Sequence, residues 1–248
     1  MTNYSISKEV ICLQIILNKR PKNTTIIHGF PGVGLVGSIA TEFLLQHLKV
    51  EQIGKINIEE MPAMVAIHES KMVDPFGIFY NSKYNLVIIH AVAPTAGLEW
   101  KIANFITEIA DKLQAKEIIS LEGVAGSNPE EFKTFFYSND KKKIEKMKKL
   151  GVEPLKEGII MGVTGAILIK SDRSAPLSCI FSETHSNLPD SKAAAKIVEG
   201  LDKYLGLNVD YKPLLKQAEE FEKKLQTLIR KGSETTELSE KKRMSYVG

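Results

Sequence analysis

The order of apolar and polar residues along the chain predicts alternating strands and helices. Short runs rich in Ile, Val, Leu and Phe are typical of strands, and apolar residues spaced three and four apart are typical of amphipathic helices. Strands are expected at residues 10–17, 24–28, 53–58, 64–68, 77–80, 86–91, 117–121, 132–137 and 177–183, and helices from residues 36, 97, 140 and 190. Helices on both faces of a mixed sheet would bury all these apolar surfaces, so we predict a three-layer α/β/α fold.

A glycine-rich turn joins the second predicted strand to the first predicted helix. Gly32, Gly34 and Gly37 match the Gly-x-Gly-x-x-Gly pattern, in which amides at a helix N-terminus hold a pyrophosphate. Glu59 and Glu60 follow at the spacing of a ribose-binding acid, although a proline then interrupts the chain. A structural role explains the same glycines without a ligand, because they permit a tight turn and close packing of a helix on a sheet. The lysine of a nucleoside-triphosphate P-loop is missing.

Two further glycine-containing segments are expected to be irregular. Residues 123–128 follow a predicted strand much as the first glycine turn does, and we expect a second glycine-rich turn there. Residues 158–165 contain three glycines, and we expect them to be a flexible approach to an apolar segment that ends near Lys170.

The pattern changes after Pro213. Apolar residues recur at steps of four and three over two heptads, which predicts an amphipathic helix that packs on its own domain or on another subunit. The residues after Gly232 contain too little apolar surface to fold and are expected to form a mobile tail. We therefore divide the chain into an α/β domain (1–210), a C-terminal helix (211–231) and a flexible tail (232–248). The helix's apolar seam consists of Leu214, Ala218, Phe221, Leu225 and Leu228.

Charge is unevenly distributed along the 248 residues. The formal net charge is +3, yet residues 1–210 carry 24 basic and 24 acidic side chains, whereas residues 211–248 carry nine and six. A neutral body argues against general nucleic-acid binding, which needs a basic surface that neutralises phosphates. Six lysines between residues 141 and 149 are expected to form a solvated helix face.

The composition is typical of soluble globular proteins, with 43% hydrophobic and 25% charged residues. No apolar run approaches the ~20 residues that span a bilayer, and the first residues lack the pattern of a signal peptide. We therefore expect no membrane partner and a cytoplasmic location. Cys12 and Cys179 lie in apolar runs, which suits buried, reduced thiols.

Residues that could carry catalysis or bind a metal are scattered. His28, His68 and His90 end strand-like runs, but none has a second ligand at short spacing, so packing is the favoured interpretation over a metal site. The apolar neighbours of Cys179 favour an inert thiol. We therefore expect no enzymatic activity, no metal and no cofactor. Trp100 lies on an amphipathic helix and is expected to be partly buried, with an exposed surface as the alternative.

Residues 29–37, with Ala40 and the helix to Leu48, resemble the proteasome assembly chaperone family, particularly its archaeal members. Residues 158–165 and the helix that starts at Pro189 and Asp190 share the resemblance, which covers most of the α/β domain. The resemblance implies a phosphorylase/hydrolase-like α/β/α domain without established catalytic activity. It also implies homo-oligomers and an ATP-independent chaperone role towards the proteasome core particle.

The resemblance also implies a role for the tail. In such chaperones and in proteasome activators the chain ends hydrophobic-Tyr-X, and the tyrosine and the carboxylate enter pockets between proteasome α-subunits. The corresponding residues here are Met244, Tyr246, Val247 and Gly248. Tyr246 is third from the end rather than second, which displaces the carboxylate by ~3.5 Å. The expected partner is thus the proteasome core particle or its α-subunits; the alternative is a nucleotide- or phosphate-binding enzyme that uses the turn from Gly32 to Gly37.

Overall fold

The computed structural model describes residues 14–61, 63–68, 70–93, 95–126, 133–170, 175–184, 188–216 and 227. Its strands are β1 (Ile15–Leu17), β2 (Thr25–Gly29), β3 (Glu51–Ile56), β4 (Ala66–His68), β5 (Lys71–Val73), β6 (Phe76–Asn81), β7 (Leu86–Ala91), β8 (Glu117–Ala125), β9 (Thr134–Ser138), β10 (Glu153–Pro154) and β11 (Leu177–Thr184). Its helices are α1 (Val36–His47), α2 (Glu99–Leu113), α3 (Lys141–Lys149), α4 (Gly162–Lys170), α5 (Ser191–Leu205) and α6 (Lys212–Lys216).

Nine of these strands form one mixed sheet in the order β1-β3-β6-β7-β2-β8-β11-β9-β10. Strands β7, β2, β8 and β11 are parallel and form its middle, whereas β6, β3 and β1 continue the sheet in antiparallel fashion. Because parallel strands end at the same edge of a sheet, the segments that follow β2 and β8 lie side by side. The predicted mixed sheet is confirmed.

Helices cover both faces of the sheet. Helices α1 and α5 pack on one face together with residues of α3 and α6, whereas α2 and α4 pack on the other face. Consecutive residues of β2 point to opposite faces of the sheet, and both are apolar. Ile27 belongs to the core under α1 and α5, and Ile26 belongs to the core under α2 and α4. Helices on both faces are therefore needed to bury these side chains. The predicted three-layer α/β/α architecture is confirmed.

Local signals position the helices that flank the site. The Asp140 carboxylate accepts the amide of Lys142 at 2.7 Å and caps α3, and the Asp190 carboxylate accepts the amide of Ala193 at 2.9 Å and caps α5. Gly206 ends α5 in the left-handed conformation, with φ of 68°.

Parts of the two segments expected to be irregular are regular. Gly123 lies inside β8, because β8 continues to Ala125 alongside β11, so the second glycine turn does not begin at residue 123. Residues 162–165 form the first turn of α4 rather than a flexible approach to it. Strand β5 was not expected either; it pairs only with β4, and the two form a separate two-stranded sheet.

Helix α6 begins at Lys212, just before Pro213, and is the described part of the predicted C-terminal helix. Leu214 of α6 is buried in the α1 and α5 core, so the apolar seam starts on its own domain. Thr227 is also helical. Ala218, Phe221, Leu225, Leu228 and the tail lie outside the described residues, and their roles stay predictions. Within the described ranges, no helix has both the length and the apolar character to cross a membrane.

Candidate functional site

The glycine turn lies at the carboxyl edge of the parallel strands, where α/β proteins commonly bind ligands. A single 3₁₀ turn, Val33–Leu35, connects β2 to α1. Gly34 has φ of +62° and Leu35 has φ of 52°, so the chain passes twice through the left-handed region before α1 begins. Glycine avoids the strain that a side chain would cause at residue 34.

Steric contacts with backbone atoms explain two further glycines of this region. A Cβ atom on Gly29 would lie 2.1 Å from the carbonyl oxygen of Gly37. A Cβ atom on Gly37 would lie 2.2 Å from the carbonyl oxygen of Leu121. The first turn of α1 therefore rests directly on β2 and β8, and these glycines are required by packing.

The inner side of the turn is occupied by side chains of neighbouring strands. A Cβ atom on Gly32 would lie 2.1 Å from Glu122 Oε1, and one on Gly34 would lie 2.6 Å from Thr184 Oγ1. Thr184 in turn donates to Asp190 Oδ2 at 2.7 Å, which connects the turn to the N-terminus of α5. The glycines make room for these side chains of the protein itself.

Glu122 is buried at the centre of this arrangement. Thr164 of α4 donates to Glu122 Oε2 at 3.0 Å, and the hydroxyl groups of Thr164 and Ser120 lie 2.7 Å apart. Burial raises the pKa of Glu122 to about 7, although the hydrogen bonds from Thr164 and from the Gly123 amide oppose the shift. A phosphate bound at this turn would need positive charge beside it, whereas Glu122 is a carboxyl group that ionises near neutral pH.

The two acidic residues at the spacing of a ribose-binding acid lie away from the glycine turn. Glu59 and Glu60 follow β3, which is antiparallel to β6 and separated from β2 by β6 and β7. Glu60 instead forms an ion pair with Lys101 of α2. The structural interpretation of Gly32, Gly34 and Gly37 is therefore favoured over a dinucleotide site.

The three histidines do not converge. His28 is fully buried with its ring centroid 5.3 Å from that of Phe30, and burial lowers its pKa to about 3. His90 Nδ1 lies 2.9 Å from Thr41 Oγ1, and its Nε2 lies 3.0 Å from Glu42 Oε2, on the other face of the sheet. His68 is exposed on β4. In the part of the chain that the structure describes, no group of His, Cys, Asp and Glu could hold a metal ion.

Cys179 is buried as expected, and burial, with a contribution from the charge of Glu122, raises the pKa of its thiol. The thiolate is therefore disfavoured, and the group suits packing rather than nucleophilic chemistry.

The lysine-rich helix is less uniformly solvated than expected. Lys143 Nζ lies 2.8 Å from Glu117 Oε2, which is buried at the start of β8, and Lys146 Nζ lies 4.2 Å from the centroid of the Tyr204 ring. The Tyr204 hydroxyl also donates to Glu117. Two lysines of α3 thus attach this helix to the domain.

Sequence reasoning missed Glu117 and Glu122, whose signal is a carboxylate within an otherwise apolar strand run.

Trp100 is about half exposed, which favours the exposed-surface alternative over a packing role. The residue is 54% exposed at the start of α2, with Lys170 Nζ 5.7 Å from the ring centroid. The tail residues Met244, Tyr246, Val247 and Gly248 lie outside the described residues.

The fold and the packed glycine turn define a three-layer α/β protein whose carboxyl-edge turn is filled by its own side chains. The chain belongs to the PAC2 family, whose model matches residues 26–229. It is similar to the crystal structure of Pyrococcus furiosus PbaA, described as an archaeal homolog of proteasome-assembly chaperone. The two are 34% identical, with 89% of this chain and 97% of that chain covered and a TM-score of 0.80.

Two other relatives carry no functional description. A Thermoplasma acidophilum protein of unknown function is 25% identical, with 98% of both chains covered and a TM-score of 0.77. An uncharacterized Methanocaldococcus jannaschii protein is 27% identical over 227 residues, which cover 91% of this chain and 94% of that protein. The resemblance expected from the glycine turn is confirmed, and none of these descriptions is that of an enzyme.

Proposed function

We propose that this protein is an ATP-independent chaperone that assists assembly of the proteasome core particle. The observation that carries the proposal is the similarity to PbaA, the archaeal proteasome-assembly chaperone homolog, over nearly the full length of both chains. Membership of the PAC2 family supports the same role. The site of action in this proposal is the cytoplasm.

The packed glycine turn supports the ATP-independent part of the proposal. Glu122 and Thr184 lie where the Cβ atoms of Gly32 and Gly34 would be. A phosphate on the inner side of this turn would have to displace both side chains and meet the charge of Glu122. The nucleotide- or phosphate-binding alternative therefore rests only on the glycine motif and its place at the carboxyl edge of the sheet.

In our proposal the contact with α-subunits is made by the tail, through Met244, Tyr246, Val247 and the carboxylate of Gly248. Tyrosine is a frequent anchor residue because it combines a large apolar ring with a hydroxyl that can find a partner. The nine basic and six acidic residues after residue 210 give this end of the chain its net positive charge. We further propose that the protein is a homo-oligomer, so that several tails bind one ring of α-subunits at once.

The test is a binding measurement between the full chain and the proteasome α-subunits of the source organism. Tyr246→Ala should weaken binding about 30-fold, as expected for an anchor worth ~2 kcal/mol, and deletion of residues 244–248 should abolish binding. Ser245→Ala is the matched control and should bind like the wild type. Addition of ATP should change none of these affinities. Unchanged binding after the deletion would contradict the tail mechanism.

A further inference from the structure

The hairpin of β4 and β5 stands apart from the main sheet. The two strands pair only with each other, with Ile67 opposite Met72 and Ala66 opposite Val73. An isolated two-stranded hairpin is at best marginally stable in water, and it needs packing against another surface to persist. We therefore expect an exposed apolar face of this hairpin to contact another surface.

One face of the hairpin is apolar and exposed. Alternating residues of a strand share a face, so Val65 and Ile67 point the same way, and Met72 is the cross-strand neighbour of Ile67. Ile67 is 67% exposed and Met72 is 65% exposed. Val65 is half exposed. In the described ranges no helix or strand covers this face.

The apolar surface extends from the hairpin towards α2 and α4. Glu60, which precedes the hairpin, pairs with Lys101 of α2, and Met61 and Met64 pack against the α2 and α4 core. The exposed Trp100 adjoins Lys101, and Lys170 joins the Trp100 ring to the end of α4, where Ile169 is also exposed. We refer to the exposed side chains Val65, Ile67, Met72, Trp100 and Ile169 as the apolar patch.

The size of the apolar patch suits a protein interface. Its exposed side chains present roughly 500 Å² of apolar surface, which is at the upper end of what monomers expose. A standard interface takes ~800 Å² from each partner, so the patch can supply more than half of one side. Tryptophan and methionine are also enriched in the cores of interfaces.

The charges around the apolar patch favour a second copy of this chain as the partner. Lys101 is paired with Glu60, and Lys170 Nζ lies 2.6 Å from Asn104 Oδ1. Because Glu60 neutralises the charge of Lys101, this part of the apolar patch can face its own copy without like-charge repulsion, whereas a strongly charged partner would gain little from it.

We propose that the apolar patch is the surface through which copies of this protein associate with one another. The proposal rests on the proposed function, which requires several tails in one particle, and it names the surface that holds the particle together. The seam of the C-terminal helix is a weaker candidate, because Leu214 is already buried in its own domain. Copies that meet at the patch bury the exposed hairpin face of each.

The test is the mass of the full chain in solution, measured by light scattering after size-exclusion chromatography over a range of concentrations. Ile67→Glu places a charge in the middle of the apolar patch and should raise the dissociation constant of the oligomer at least 30-fold. Leu188→Glu is the matched control. Leu188 is 63% exposed and lies just before α5, which packs on the other face of the sheet. This variant should keep the mass of the wild type.

A second variant is needed because Ile67→Glu could also prevent the hairpin from folding. Trp100→Glu changes an exposed position on α2, outside the hairpin, and should dissociate the oligomer in the same way, with a circular dichroism spectrum like that of the wild type. An oligomer of unchanged mass in both variants would overturn the proposal. So would a wild-type chain that stays monomeric at every concentration.

These readouts separate the surface from the proposed function. If the variants keep the wild-type mass but no longer bind α-subunits, the apolar patch contacts the proteasome, and the self-association proposal is overturned. If the variants dissociate, the proposal holds whether or not α-subunits bind the tail, because the mass is measured without any proteasome subunit.

Discussion

Glu122 and His28 are buried on the same side of the sheet, and burial shifts their pKa values in opposite directions. The pKa of Glu122 rises to about 7 and that of His28 falls to about 3. Between pH 4.5 and 7 the folded chain keeps a proton on Glu122 that the unfolded chain releases, so stability falls as the pH rises. Between pH 6.5 and 3 the unfolded chain binds a proton on His28 that the folded chain excludes, so stability falls as the pH falls. The two effects oppose each other between pH 4.5 and 6.5.

Glu122→Gln should remove one of these two opposing effects. The free energy of unfolding of the variant, relative to the wild type, should rise by on the order of 3 kcal/mol from pH 4.5 to pH 7.5, because glutamine does not ionise. Urea unfolding at four pH values measures the difference in the free energy of unfolding.

Thr164→Val removes a hydrogen bond that lowers the pKa of Glu122. This variant should extend the pH-dependent loss of stability above pH 7. A difference that does not change with pH would refute this account of Glu122.

At the scale of elements, the junction between β2 and α1 is held by contacts that leave no room for side chains. A Cβ atom on Gly29 or on Gly37 would lie closer to a backbone oxygen than any real Cβ atom does. The same glycines that match a dinucleotide motif therefore place α1 close to β2 and β8. Close approach of a helix to a sheet and close approach of a phosphate require the same residue, so the motif predicts both.

Substitution of two helical glycines should show whether Gly37 is required for packing of α1 on the sheet. Gly37→Ala should destabilise the protein by ~1–3 kcal/mol, because the new methyl group overlaps the Leu121 carbonyl. Gly200→Ala in α5 is the matched control. Its methyl group would meet only Thr134 Cγ2 at 3.5 Å and Ile180 Cγ2 at 3.7 Å, so it should stabilise α5 by ~0.5–1 kcal/mol. Thermal unfolding measures both changes, and equal effects of the two substitutions would argue against the packing role.

At the scale of the whole molecule, the root of the C-terminal helix and the apolar patch lie on opposite faces of the sheet. The root of the C-terminal helix, at Leu214, packs with α1 and α5, whereas the apolar patch adjoins α2 and α4. Association through the apolar patch thus leaves the root of each tail uncovered. A particle that presents several tails gains affinity by avidity without any new contact.

Avidity gives a prediction for the dissociated variant. Ile67→Glu keeps its tail intact but should bind assembled rings of α-subunits at least 100-fold more weakly than the wild type. Its affinity for a single α-subunit should be unchanged. Surface-immobilised rings and single α-subunits in solution provide the two measurements. Equal losses in both would mean that the apolar patch itself touches the α-subunit.

Much of the fold follows from local patterns. The strand β2, the helices α2 and α5 and the lysine-rich helix α3 are each specified by apolar spacing within their own residues, and capping aspartates mark two of the helix starts. The extent of β8 was underestimated, because its last residues are held by pairing with β11, about sixty residues further along the chain. Pairing between distant segments leaves no periodic signal in either one.

The sequence by itself determined the α/β class, the family resemblance and the separation of a charge-balanced body from a basic C-terminal end, because each of these is a local property of composition or spacing. Only the tertiary structure decided that Glu122 and Thr184 fill the glycine turn and that Trp100 is exposed at the start of α2. These facts depend on which distant residues meet in the fold, since burial and charge at a position are set by its neighbours in space.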